Sequence, residues 1–146
     1  MPYLYVAHQG GGQDGQLYFA FTRDGSNWEP DRQVPTSGMS DSPSALFFNN
    51  RLYFFYQGSG EDGQLRYTST SDATDWAPEE QVPNAGMSAG PGARVGFNDR
   101  LYCFYQSSGD SGQLMYITHD GNNWQPHDQR IPTTVGMSAG PSACFG

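Results

Sequence analysis

Apolar residues fall in short runs along this chain, and each run stops at a turn built from glycine, asparagine, aspartate or serine. The succession is clearest between Ser40 and Ser88. Residues 42–48 (SPSALFF) pass from small to apolar, 49–51 (NNR) form a turn, and 52–58 (LYFFYQG) are rich in strand formers. Residues 59–63 (SGEDG) make a second turn, and 64–70 (QLRYTST) alternate apolar with polar. Residues 71–75 (SDATD) turn again, and 76–83 (WAPEEQVP) close the unit before a Gly/Ser loop. The pattern predicts four short strands joined by tight turns, with no helix.

This unit recurs. Gly-Gln-Leu stands at residues 15–17, 63–65 and 112–114, and tryptophan at Trp28, Trp76 and Trp124. Gly-Met-Ser stands at Gly38-Met39-Ser40, Gly86-Met87-Ser88 and Gly136-Met137-Ser138, and Leu-Tyr at Leu4, Leu52 and Leu101. Four markers in register define repeats at about 1–39, 40–87 and 88–138. Four strands in 40–50 residues is the period of a β-propeller blade. A β-sandwich also has short strands, but it would not repeat its turn chemistry three times. The expected fold is therefore an all-β propeller with three four-stranded blades per chain.

Residues 139–146 then supply the first strand of a blade split across the termini. From Pro43 to Leu52 is nine positions; from Pro141 through Gly146, and on from Met1 to Leu4, is also nine. Propellers have 4–8 blades, so three are too few to close. An open arc would expose strand edges, which invite aggregation. Two copies joined head to tail, as a homodimer, give a six-bladed ring without free edges. A nine-bladed trimer is the less favoured ring, and a fragment of a larger propeller would read the same.

Each tryptophan ends the pattern Thr-x-Asp-x-x-x-Trp, at residues 22–28, 70–76 and 118–124. Asp24, Asp72 and Asp120 are expected to accept backbone N–H bonds in these turns, and the tryptophan to anchor the outer strand. The turn resembles the Asp-box of sialidase-type propellers, shortened by one residue. That resemblance implies a fold staple rather than a catalytic aspartate.

Candidate binding chemistry recurs as well. Each second strand ends in His8-Gln9, Tyr56-Gln57 or Tyr105-Gln106, and a glycine-rich turn leads on to Gln16, Gln64 or Gln113. Rings and amides, with the nearby Trp28, Trp76 and Trp124, suit a neutral sugar: a ring stacks on its C–H face and fixed polar groups read its hydroxyls. The same residues could instead pack the blades. Packing is the expected role of Tyr53, Tyr67, Tyr102 and Tyr116, which lie inside strands. Met39, Met87 and Met137 could floor a pocket or plug the gap between blades.

The motifs GMSxxPSAxxF, RLYxFYQG and GQLxY…DGxxW resemble the blades of bacterial propeller lectins typified by the Photorhabdus fucose-binding lectin, over essentially the whole chain. The resemblance implies a multivalent lectin with interblade pockets for fucose or a related O-methylated sugar. Those lectins are seven-bladed single chains, and three blades do not divide seven. Other fungal and bacterial fucose lectins form six-bladed rings, in one case from short chains.

Composition narrows the partners. The net charge is −8, and the seven basic residues, all arginine, are dispersed. A phosphate-tracking surface needs clustered cations, so nucleic acid and anionic membrane are poor partners. With three Trp, nine Tyr and nine Phe the chain is too aromatic for a disordered segment. No apolar run reaches the ~20 residues of a membrane helix. The start lacks the pattern of a signal peptide. The expectation is a soluble protein made in the cytoplasm, which would reach extracellular glycans by another route or after loss of a segment.

Cys103 and Cys144 read as buried free thiols. His8, His119 and His127 lack metal-ligand spacing and read as surface or interface residues. Asp14, Glu61, Asp62 and Asp110 sit in turns with too few oxygens each for calcium. No cofactor is expected. Near-identical repeats favour several equal binding sites over one active site, so no enzyme activity is expected. The alternatives are a protein-interaction propeller, an engineered propeller fragment and, less favoured, a sialidase-like hydrolase.

Overall fold

The computed structural model describes residues 2–12, 14–108, 112–132, 137, 139–144 and 146. Gly136, Ser138, Asp110 and the Glu61 side chain lie outside the described residues. The described chain is all-β and antiparallel. Ten strands run in order: β1 (Leu4–Gln9), β2 (Gln16–Thr22), β3 (Arg32–Phe48), β4 (Arg51–Gly58), β5 (Gln64–Thr70), β6 (Glu80–Gly86), β7 (Gly92–Val95), β8 (Leu101–Gln106), β9 (Leu114–His119) and β10 (Gln129–Arg130). Among the described residues the helical content is two single 3₁₀ turns, Ser59–Glu61 and Phe97–Asp99.

Neighbours in sequence are neighbours in space, in the orders β1-β2-β3-β4-β5-β6 and β10-β9-β8-β7. The first order is two strand sets sharing one long strand. The start of β3 pairs with β2, through Arg32–Phe19 and Gln33–Tyr18. The rest of β3 pairs with β4, from Met39–Gly58 to Phe48–Arg51, with a register break between Ser40 and Ser44. Asp41 takes a left-handed φ of 69° inside that break. The sequence suggests two strands and a loop here. The backbone runs extended through Pro35 and Pro43, because proline is compatible with strand φ and simply omits a ladder bond.

The sets pack face to face around two cores. Leu17, Phe19, Val34, Met39, Leu52, Phe54 and Tyr56 fill the first, with Trp76 against it. Phe48, Phe55, Leu65, Val82, Met87, Leu101, Cys103, Tyr105 and Ile117 fill the second, with Tyr53, Tyr67 and Trp124 against it. Burying each large apolar side chain contributes at most about 1.5–3 kcal/mol. Met39 and Met87 plug the space between sets at 1% exposure, and Met39 also lines a groove beside the first set.

The three loop methionines leave their sets alike. Their amides donate to Gly15, Gly63 and Gly112 at 2.8, 2.8 and 2.9 Å. The segments that follow lie side by side. A Cβ on Gly90 would overlap the Ser42 carbonyl, and one on Gly140 would overlap the Gly90 carbonyl. Only glycine permits this approach. Among the described residues, the 139–144 segment has no ladder partner, and β1 is paired on one side alone, with β2.

Candidate functional site

The end of each second strand carries a ring hydrogen-bonded to a carboxylate 23 residues on. His8 Nε2 lies 3.0 Å from Asp31 Oδ1. The Tyr56 hydroxyl donates to Glu79 at 2.8 Å, and the Tyr105 hydroxyl donates to Asp128 at 2.6 Å. The sequence reading found the rings and missed the carboxylates. Each follows its tryptophan by three or four residues, which was the available signal.

The three pairs differ in exposure. Tyr56 and Tyr105 are fully buried, and burial first, then the neighbouring carboxylate, pushes both hydroxyl pKa values far up. His8 is half-buried, and its bond to Asp31 raises its pKa above the ordinary value. Arg66, which bonds Asp62 at 3.1 Å, also reaches Glu79 at 3.7 Å, so the middle pair carries an added charge.

The glutamines divide into two groups. Gln57 and Gln106 are buried at 3% exposure each, whereas Gln9 is half-buried. Gln16 accepts from the Gln33 amide at 2.8 Å, and Gln64 accepts from Gln81. These two amide pairs face outward, and Gln113 is exposed at the third equivalent position.

The tryptophans lie on the outer flank of the sheets. Trp76 packs on Phe19 and Phe54, and Trp124 on Phe55, Tyr67 and His119. Trp28 is 46% exposed. The structure thus brings His8, Gln9 and Gln16 together at one end of β1 and β2. It sets the tryptophans apart, beyond the Asp turns.

Those turns are built alike. Asp24 accepts from the Ser26 and Asn27 amides, Asp72 from Thr74 and Asp75, and Asp120 from Asn122 and Asn123, all at 2.8 Å. These backbone bonds hold all three carboxyls below the ordinary carboxylate range. Ala73, which replaces the glycine of the other copies, still takes a positive φ of 61°. Asp14 and Asp62 each accept a backbone amide, from Gln16 and Gln64, at 2.9 Å. Among the described residues no group of three or more His, Cys, Asp or Glu is placed to hold a metal.

A groove of about 730 Å³ opens between the first and second strand sets. His8 and Gln9 of β1, Met39, Ser40, Asp41 and Ser42 of β3, and Ser59 and Gly60 beyond β4 are among the residues that line it. Asp41 is a further residue missed by the sequence reading. Its carboxylate bonds the Gly90 amide at 3.0 Å, across to the next set. The other copies have Ala89 and Ala139 there, so the departure from the repeat was the signal. A second groove, of about 540 Å³, follows the adjacent inner segments near Pro43, Pro91 and Pro141. No helix among the described residues is long and apolar enough to cross a membrane.

Antiparallel strand sets stacked face to face, with Asp turns on the outer flank, place the chain among β-propeller structures. No protein-family profile and no curated protein matches the sequence. Solved structures do. The NanB sialidase of Streptococcus pneumoniae aligns with a TM-score of 0.63 at 17% identity, over 84% of this chain and 20% of that one. The Aleuria aurantia lectin, a β-propeller lectin solved with α-methyl-L-fucoside, aligns at 0.58 and 19%, over 94% of this chain and 49% of that one. An α-L-arabinofuranosidase from Clostridium thermocellum aligns at 0.56 and 17%, over 94% and 55%. The chain thus spans a fifth of the sialidase and about half of the lectin. At these identities the likeness shows the fold.

Proposed function

We propose that this protein is a non-catalytic, multivalent carbohydrate-binding propeller whose sites lie between neighbouring blades and take a neutral sugar, fucose or a related O-methylated one. The groove beside His8 carries the reading. It sets a ring, an amide, hydroxyls and a carboxylate around an open cleft between packed sheets, which is the donor and acceptor set that orients a polyol. The Aleuria lectin, solved with a fucoside, shares the fold. So do two glycosidases, and sugar chemistry is common to all three neighbours.

In this reading His8, Gln9, Gln16, Gln64 and Gln113 contact sugar. Buried Tyr56, Tyr105, Gln57 and Gln106 hold the frame behind them, and Trp76 and Trp124 join the sheets. The repeats, at 1–39, 40–87 and 88–138, each contribute a blade. Two copies close a six-bladed ring, in which the 139–146 segment of each supplies the missing inner strand beside β1 of the other. Several weak sites on one ring gain strength by avidity on a glycan-covered surface.

A glycan array probed with this chain, with and without calcium, tests the function. Binding to fucosylated or O-methylated glycans is expected, lost in Gln9→Ala. Silence across the array sinks the lectin and favours a protein-interaction propeller. Turnover of a fluorogenic sialoside, fucoside or arabinofuranoside would show an enzyme instead. Native mass measurement tests the ring, with two copies expected.

A further inference from the structure

Two ends of the strand stack carry halves of the same contact. Within the chain, Tyr53, Phe55 and Tyr67 form a three-ring cup, with centroids 6.1, 6.1 and 5.5 Å apart. Trp124 of the next strand set sits in it, 6.0 Å from Phe55 and 5.7 Å from Tyr67. One set earlier Trp76 packs on Phe19, the counterpart of Tyr67, at 5.4 Å, and on Phe54 of its own set at 5.0 Å, with Ala7 standing where the cup has Phe55. Each indole therefore packs on the rings of the preceding set.

The third set carries an equivalent cup. Tyr102, Phe104 and Tyr116 stand 6.2, 6.1 and 6.1 Å apart. The first pair of rings is inclined by 14° in both cups. Registers agree as well, since Phe55 faces Tyr67 across the ladder and Phe104 faces Tyr116. All three rings keep some exposure, and no indole lies against them among the described residues. At the opposite end Trp28, the equivalent of Trp76 and Trp124, is 46% exposed, and among the described residues no preceding set lies against it. Leu4 and Val6 of β1 are exposed beside it, at 59% and 43%.

We infer that Trp28 of one copy docks in the Tyr102–Phe104–Tyr116 cup of a second copy of this chain, and that this aromatic contact holds the two half-rings together. The occupant is specified by the chain itself: the cup is a duplicate of one that already holds an equivalent indole. Two copies related by a two-fold axis make this contact twice and bury both ends. The same junction brings the 139–144 segment of the second copy to the bare edge of β1. Ala7, His8 and Gln9 at that edge line the large groove, so the groove is incomplete in a single copy. The inference rests on the ring closure proposed above and is independent of sugar binding.

Analytical ultracentrifugation over a dilution series, with tryptophan emission read in parallel, tests it on the 146-residue chain. The wild type should dimerise, and its emission should shift to the blue as Trp28 leaves water. Trp28→Ala should raise the dimer dissociation constant at least about 100-fold, as for a central aromatic anchor. Phe104→Ala should do likewise. Trp28 is exposed in the single chain, so Trp28→Ala should leave far-UV circular dichroism unchanged. Mixing the two variants restores one of the two contacts, because the Phe104→Ala copy still offers Trp28 to the intact cup of its partner. Mixed dimers should then form at concentrations where each variant alone is monomeric. A wild-type dimer that survives both substitutions would overturn this contact and leave the ring standing. A wild type that stays monomeric at its highest soluble concentration would overturn both.

Discussion

The Tyr56 hydroxyl donates a 2.8 Å hydrogen bond to Glu79, from a ring with no exposed surface. The bond ties the end of β4 to the segment entering β6. A hydrogen bond to a charged group is worth about 1.5–3 kcal/mol, because its loss leaves the carboxylate poorly satisfied. Tyr56→Phe should therefore destabilise the fold by roughly that amount, seen as a lower urea midpoint with unchanged slope. Tyr105→Phe, which loses the 2.6 Å bond to Asp128, should behave alike. An unchanged midpoint in both variants would show that the pairs contribute nothing to the frame.

His8 titrates at the first of these positions. Its bond to Asp31, then a bond to the Gln9 carbonyl, raises its pKa above 6.5. A raised pKa stabilises the folded state below the unfolded value near 6.5, and that contribution disappears as pH rises through the folded value. NMR titration of the His8 ring should give a pKa above 6.5, returning towards it in Asp31→Asn. Groove binding that involves the charged ring should weaken across the same window. His119 should titrate below 6.5, since burial against Trp124 and Phe48 disfavours its charge.

The Asp turns predict acid sensitivity. Asp24, Asp72 and Asp120 all have lowered pKa values, from backbone amide bonds first. A lowered pKa contributes stability above the unfolded value near 3.9, and that stability is lost as pH falls through the folded value. Thermal midpoints should therefore fall steadily below about pH 4. Asp72→Ala should lower the midpoint at pH 7 by removing the acceptor for two amides. Asp72→Asn keeps an acceptor without the charge and should flatten the acid-side slope.

The two thiols should react very differently. Cys103 is fully buried in the second core, and burial pushes its pKa far up. Cys144 is exposed. A thiol reagent should therefore titrate one thiol in the native chain and both in denaturant, because the thiolate is the nucleophile. Both cysteines stand in apolar runs that suggest burial. The structure corrects this for Cys144, because the 139–144 segment has no sheet partner to cover it within one described chain. If the half-rings close as inferred, labelling of Cys144 should slow as protein concentration rises.

Much of the fold is legible along the chain. Strands expected at residues 52–58 and 64–70 appear as Arg51–Gly58 and Gln64–Thr70, because strand formers between glycine turns set them locally. The Asp turns are equally local: each aspartate reaches amides two and three residues on. The candidate site is less legible. His8 and Gln9 were visible as ring and amide; Asp31 and Asp41 were not, since their partners are fixed by strand pairing and by contact between sets.

The sequence alone determined the four-strand repeat, its turn chemistry and the places where an indole, a ring and an amide recur, because those depend on neighbours a few residues apart. Only the tertiary structure decided what each recurring residue touches. Tyr56 and Tyr105 are sealed behind the surface while His8 lines a groove. Trp76 and Trp124 lie against the rings of the preceding set while Trp28 stands exposed. The reason is positional: equivalent residues have equivalent local geometry, but among the described residues no set lies before the first to cover its members as their counterparts are covered, and contacts between stacked sheets are set by residues far apart in the chain.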